Sequence, residues 1–148
     1  MSTEQNKAVV RRLVEEVWNK KNLAMADELF AVDFVNHAAP PGTPPGPGAT
    51  KQFITIIHAA FPDLRFVTED LIAEGDRVVV RATVRGTHNG VFPTPIGIIA
   101  PTGKQVTMTG IIIFRIAGGK VAEEWVNRDM LGLLQQLGAI PPIGESRK

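Results

Sequence analysis

The spacing of apolar residues changes once along the chain, and this change limits the possible folds more than any other feature. Before Pro62 the apolar residues recur every three or four positions, as in the segment 9–17. After Pro62 an apolar residue stands at every second position, as in the segment 78–84. The first spacing is typical of amphipathic helices and the second of half-buried strands. The chain is therefore predicted to be an α+β domain with helices packed on one face of an antiparallel sheet.

The pattern predicts four helices, four long strands and two long loops. Helices are expected at about 3–21, 22–30, 49–61 and 129–138, with capping residues at several of their ends. Strands are expected at 66–73, 77–86, 104–116 and 120–128, with 34–37 as a brief extended piece. The segments 40–48 and 88–103 are rich in proline and glycine and are read as loops. Four long strands can curl into a half-open cone, and a ligand would fit between the cone and the helices.

Size and composition indicate one domain, 1–148, without polyanionic partners. A chain of 148 residues is near the modal domain size, and the absence of cysteine excludes disulfides and thiolate chemistry. A net charge of +1 gives no electrostatic footprint for nucleic acid. The longest aliphatic and aromatic run, 111–114, is too short to span a membrane, and the first residues do not resemble a secretory signal. We expect a cytoplasmic protein with neither a nucleic-acid nor a membrane partner.

No metal or cofactor is expected. The three histidines, His37, His58 and His88, lack the spacing of a metal site. The segment 42–48 lacks the lysine of a phosphate-binding loop, and no G-x-S-x-G nucleophile motif occurs.

The turn at 117–119 decides which residues of the last hairpin share a face. A two-residue loop would pair Ile112 with Trp125, whereas a three-residue loop with a bulge would pair Ile112 with Glu124. We favour the second register, because Gly119 would then occupy the left-handed position of the bulge. One face would carry Met108, Gly110, Ile112, Phe114, Ala122, Glu124, Val126 and Arg128.

Several segments together resemble the SnoaL-like polyketide cyclases of the nuclear transport factor two-like superfamily. They are FVNH at 34–37, AFPDLRF at 60–66, EGDRVVVR at 74–81, GTHNGVF at 86–92, PTGKQV at 101–106 and FRIAGGKVAEEW at 114–125. The resemblance covers almost the whole chain. It implies a cystatin-like α+β barrel in which an apolar pocket holds a hydrophobic ligand.

The resemblance also implies two acid/base positions, and neither carries a titratable residue here. A cyclase aspartate would follow the signature tryptophan, and a histidine would precede the FR pair by two positions. These positions are Val126 and Ile112. The candidate replacements are His37, Glu124 and Asp129, since each can carry a proton. The structural alternatives are a hydrogen-bonded histidine, a solvated strand carboxylate and a helix N-cap, respectively.

The predicted ligand pocket combines aromatic, aliphatic and polar residues. Its members are Trp18, Phe34, Phe53, Ile57, Arg81, His88, Met108, Ile112, Phe114, Trp125 and Val126. Arg81 has a structural salt bridge as its alternative role, and His88 has the role of a loop anchor as its alternative. The aromatic residues are otherwise core residues. His58 is expected at the surface.

These observations leave an enzyme and a binding domain as open alternatives. The first is a cofactor-independent cyclase or isomerase that transfers a proton on a hydrophobic polyketide-like or ketone substrate. The second is a non-catalytic small-molecule-binding or accessory domain, as Ile112 and Val126 suggest. An epoxide-hydrolase-like activity is a third, but the sequence offers no convincing inward pair of carboxylates. A homodimer is expected through the outer sheet face, which would expose Ile111 and Ile113.

Overall fold

The helices and strands follow the change of period closely. The computed structural model describes residues 2–141. Its helices are α1 (Thr3–Arg12), a wider π-helical continuation (Leu13–Asn19), α2 (Leu23–Leu29), α3 (Gly48–Ala60) and α4 (Met130–Gln136). Its strands are β1 (Phe30–Asn36), β2 (Arg65–Glu74), β3 (Arg77–Thr87), β4 (Phe92–Thr94), β5 (Gly97–Ile99), β6 (Gln105–Ala117) and β7 (Lys120–Arg128).

The first helix begins at a capping box and ends in a wider turn. The Ser2 hydroxyl accepts a hydrogen bond from the Gln5 backbone N–H, and the Gln5 side chain accepts one from the Ser2 N–H. From Leu13 onward the helix widens, and the Lys20 N–H donates to the Glu15 carbonyl at 3.0 Å. The single regular helix predicted over 3–21 is therefore two joined segments. Asn22 caps α2 by accepting from the Met25 N–H, as predicted.

The five-stranded sheet has the order β1-β7-β6-β3-β2 and does not close into a barrel. The β7–β6, β6–β3 and β3–β2 pairs are antiparallel, whereas β1 pairs with β7 in parallel. The piece expected at 34–37 is thus the end of a longer edge strand. The α+β class, the curved open sheet and the packing by N-terminal helices are confirmed.

The predicted register of the last hairpin is wrong by two residues. Gly118 and Gly119 both have positive φ, 58° and 79°, and form a two-residue turn that pairs Ala117 with Lys120. Ala122 is then an extra residue, because Ile116 pairs with Val121 and Arg115 with Glu123. As a result Ile112 lies opposite Val126, and neither expected pairing of Ile112 occurs.

The predicted division into faces survives this error. Side chains alternate along a strand, so a shift of two residues leaves each one on its original side. We call the side that carries Ile112, Glu124, Val126 and Arg128 the inner face, and the opposite side the outer face. The inner face packs toward the helices and contains the apolar core residues of β3 and β6, including Val80 and Phe114.

The segment 88–103 contains a small hairpin where a loop was predicted. Strands β4 and β5 pair across a tight turn, and Phe92 is buried against the main core. The start of this segment is fixed to α3, because the Asn89 and Gly90 N–H groups both donate to the Ala60 carbonyl at 3.1 Å.

Within the part of the chain that the structure describes, no helix is both long and apolar enough to cross a membrane.

Candidate functional site

A cavity of about 270 Å³ lies between the inner face, α3 and the β4–β5 hairpin. Six predicted pocket residues line it: Trp18, Phe53, Ile57, Met108, Ile112 and Val126. The two aromatic rings meet edge to face with centroids 6.3 Å apart. Sequence reasoning missed the wall formed by Phe92, Pro93 and Pro95, because the segment that carries them was read as a loop. We call this space the main cavity.

Three charged residues border the main cavity: Glu124 and Arg128 from β7, and Arg85 from β3. Glu124 and Arg128 are four positions apart on one strand, so both side chains leave the same face. The remaining lining is predominantly apolar. Each charge therefore has few polar protein groups around it that could replace the hydrogen bonds of water.

Burial raises the pKa of Glu124 from 4.5 to about 7, while the nearby positive charge of Arg128 lowers it. The residue as a whole is half-buried because it borders the cavity. Burial also lowers the pKa of Arg128, and Glu124 opposes that change. Loss of hydration is the larger cause for both residues. A carboxyl group that titrates near neutral pH can accept and return a proton under physiological conditions.

Ile112 and Val126 face each other directly across β6 and β7, and both line the main cavity. Neither side chain can transfer a proton. Glu124 is displaced from Val126 by two positions on the same face. Among the residues expected to carry acid/base chemistry, Glu124 alone borders this cavity.

His37 belongs to a cluster on the outer face. Its ring stacks on Trp125 with centroids 4.7 Å apart, and its Nε2 lies 3.9 Å from a carboxylate oxygen of Glu123. Arg115 donates to the other oxygen of Glu123 at 3.0 Å, which lowers the pKa of that carboxyl. The Arg77 guanidinium lies 4.7 Å above the Trp125 ring. The prediction that Trp125 lies in the pocket is therefore wrong, because its position on β7 turns its side chain to the outer face.

Asp129 is an exposed N-cap. Its side chain accepts a hydrogen bond from the Gly132 N–H at 2.9 Å and thereby begins α4. Asp129 therefore has the alternative role predicted for it, that of a helix N-cap. Its side chain does not line the main cavity.

Three further pocket predictions also differ from the structure. Arg81 lies on the outer face and donates to Asp70 at 2.6 Å, with both side chains about half exposed. His88 is fully buried beneath its loop, where its Nδ1 contacts the Thr102 hydroxyl at 2.9 Å. Phe114 is on the inner face but is enclosed in the core. His58, expected at the surface, is buried with its Nε2 2.7 Å from the Trp18 carbonyl.

Phe34 borders a second cavity, of about 470 Å³, under the proline-rich segment 40–48. Phe53 and Arg128 line both cavities. The Arg128 guanidinium lies 5.4 Å from the centre of the Phe53 ring, so this pair stands at the boundary between the two spaces. Among residues 2–141 no group of three or more His, Asp or Glu side chains is arranged to hold a metal ion.

Known structures reproduce this architecture over nearly the whole chain. TsrD from Streptomyces laurentii shares 25% identity, with a TM-score of 0.83 over 95% of this chain and 99% of that one. IdmH from Streptomyces antibioticus, assigned as a polyketide cyclase, shares 31% identity, with a TM-score of 0.76 over 90% and 99%. AclR from Streptomyces galilaeus, assigned as a hydroxylase, shares 29% identity, with a TM-score of 0.81 over 97% and 87%.

No curated protein sequence matches the chain. Residues 8–137 match the sequence profile described as SnoaL-like polyketide cyclase. This match covers most of the 148 residues and agrees with the structural neighbours. The chain belongs to the SnoaL-like polyketide cyclase family.

Proposed function

We propose that the chain is a cofactor-independent enzyme of the cyclase or isomerase type that moves a proton on a hydrophobic ketone. The observation that carries this proposal is Glu124, a carboxyl group in an apolar cavity with a pKa raised to about 7. Such a group has its basic and acidic forms in comparable amounts near neutral pH, which suits general acid/base catalysis. It would replace the pair that is apolar here, Ile112 and Val126.

The proposed reaction begins with Glu124 as a base. Its carboxylate takes a proton from the carbon next to the substrate carbonyl, and the electrons of the broken C–H bond form an enolate. Arg128, on the same strand face, supplies positive charge and N–H donors for the enolate oxygen. Return of the proton to another carbon would isomerise the substrate. Attack of the enolate carbon on a second carbonyl would close a ring, with Glu124 protonating the new alkoxide.

The test is proton exchange on a model ketone. We expect the purified protein to accelerate deuterium uptake at the acetyl methyl group of 6-acetyl-2-(dimethylamino)naphthalene in D₂O, followed by NMR. Glu124→Gln should lower the rate by about 10²–10⁴-fold, the usual contribution of a general acid/base group. Asp129→Asn is the matched control, because it removes a carboxylate outside the cavity and keeps the helix cap. Equal rates for Glu124→Gln and the wild type would contradict the role of Glu124.

The alternative function is a non-catalytic binding domain with the same cavity. It is favoured by the direct pairing of Ile112 and Val126, which places two inert side chains where the family resemblance implies acid/base residues. This alternative predicts that the ketone binds but exchanges its protons no faster than in buffer. Catalysed exchange by the wild type would refute it.

A further inference from the structure

The two cavities meet at one boundary formed by Phe53 and Arg128. The main cavity lies on the side of Ile112, and the second lies under the proline-rich segment. That segment is held over β1, because the Gly46 N–H donates to the Phe34 carbonyl at 2.7 Å. Gly46 has a φ of 103°, and a Cβ there would come within 3.0 Å of the Val32 carbonyl oxygen. The second cavity therefore lies under a tightly fitted loop.

The Arg128 guanidinium can donate hydrogen bonds to a ligand at this boundary. In the described part of the chain, 2–141, none of the ion pairs within 4.0 Å includes Arg128. Its guanidinium lies over the Phe53 ring, a cation–π contact that is made without a conventional hydrogen bond. Because a guanidinium carries five N–H donors, a ligand oxygen at this boundary would find several of them unused.

The two spaces have different linings. The main cavity is predominantly apolar, whereas the second places Asn36, Thr43 and Thr50 among its proline and alanine residues. At about 270 Å³ the main cavity is slightly smaller than typical ligand sites, which span roughly 300–1,000 Å³. With the second cavity of about 470 Å³, the available space falls well within that range.

From this arrangement we infer that the two cavities form one site for an elongated aryl ketone. The aromatic part occupies the main cavity, the carbonyl oxygen accepts from Arg128, and the acyl substituent extends past Phe53 under the proline-rich segment. This inference deepens the proposed function by naming the ligand class, and it rests on the main cavity being the substrate site. It does not require Glu124 to transfer a proton.

Two ketones that differ only in acyl length test the inference. They are 6-acetyl- and 6-hexanoyl-2-(dimethylamino)naphthalene, whose emission reports binding directly. We expect Ala49→Leu, which fills the second cavity from α3, to weaken binding of the hexanoyl ketone about tenfold, as steric exclusion of a few methylene groups would. Binding of the acetyl ketone should change less than about twofold, because its short acyl group ends at the boundary. The matched control is Ala8→Leu, at an exposed position of α1.

Further variants distinguish failure of the two-cavity site from misfolding of a variant and from failure of the proposed catalysis. Ala39→Leu fills the same cavity from the other side and should have the same selective effect if Ala49→Leu does not fold. Arg128→Met should weaken both ketones about tenfold, through loss of a charged hydrogen bond. The two-cavity site would be overturned if Ala49→Leu and Ala39→Leu weakened binding of the acetyl and hexanoyl ketones equally. It would also be overturned if neither variant changed the binding of either ketone. Failure of both ketones to bind the wild type would overturn the ligand class, whereas binding without proton exchange would refute only the proposed catalysis.

Discussion

Replacing Glu124 by glutamine should remove a pH dependence that this carboxyl gives to the stability of the wild-type protein. Its pKa is about 7 in the folded protein, against the ordinary 4.5 expected in the unfolded chain. Between these values the folded state holds a proton that the unfolded state releases. Stability must therefore fall as the pH rises through this window, and the loss is complete above the folded-state pKa.

The size of the effect follows from the two pKa values. At roughly 1.4 kcal/mol per pH unit, a rise from 4.5 to about 7 corresponds to about 3 kcal/mol of unfolding free energy. Below pH 4.5 both states bind the proton, so the wild type pays no penalty there. Glutamine is neutral at every pH, and the advantage of Glu124→Gln over the wild type should therefore grow by about 3 kcal/mol across the window.

Urea unfolding at about pH 5, 6, 7 and 8 measures this difference, because contributions from other titrating groups cancel between the two proteins. Glu69→Gln, at an exposed position of β2, controls for the loss of one negative charge. Arg128→Met should extend the upper end of the window to higher pH, since Arg128 lowers the pKa of Glu124 in the folded protein. A difference between Glu124→Gln and the wild type that is the same at every pH would refute the reasoning.

Two other predictions concern the outer face and one close backbone contact. Ile111 is 50% exposed on the outer face, and we propose that this face forms a homodimer. Ile111→Glu should give a monomer in sedimentation, and a monomeric wild type would contradict the proposal. Gly90→Ala should lower the free energy of unfolding by about 1–3 kcal/mol, because the added Cβ would meet the Ala59 carbonyl oxygen. Gly48→Ala, where no atom lies within 4 Å of the added Cβ, is the thermal-denaturation control.

Local patterns predicted the long elements well because each of these elements buries one face. Helices α1 and α3 and strands β2, β3, β6 and β7 all lie where the period of apolar residues placed them. Strand β1 was underestimated, because it is stabilised by parallel pairing with β7, some ninety positions away. The β4 and β5 strands have three residues each, which is too short for a period to be visible.

The sequence predicted which side of the sheet each residue of the candidate site faces, but it did not predict which residues contact one another. Glu124 was placed correctly beside the cavity because face membership depends only on whether a strand position is odd or even. For the same reason Trp125 and Val126, neighbours on one strand, could not both line the pocket. The second cavity and the role of Arg128 at its boundary depend on how a loop folds over β1, which no local pattern records.

Ala122 determines how the last hairpin responds to a change in chain length. The two-residue turn alone would place Trp125 opposite Ile112, and the extra residue at Ala122 brings Val126 there instead. Deletion of one residue between Lys120 and Glu124 can be absorbed by loss of this bulge, which leaves Val126 opposite Ile112. Insertion of one residue that the ladder does not take up as a second bulge would turn the outer cluster that carries Glu123 and Trp125 toward the cavity. The bulge therefore lets the hairpin lose one residue without rebuilding the site.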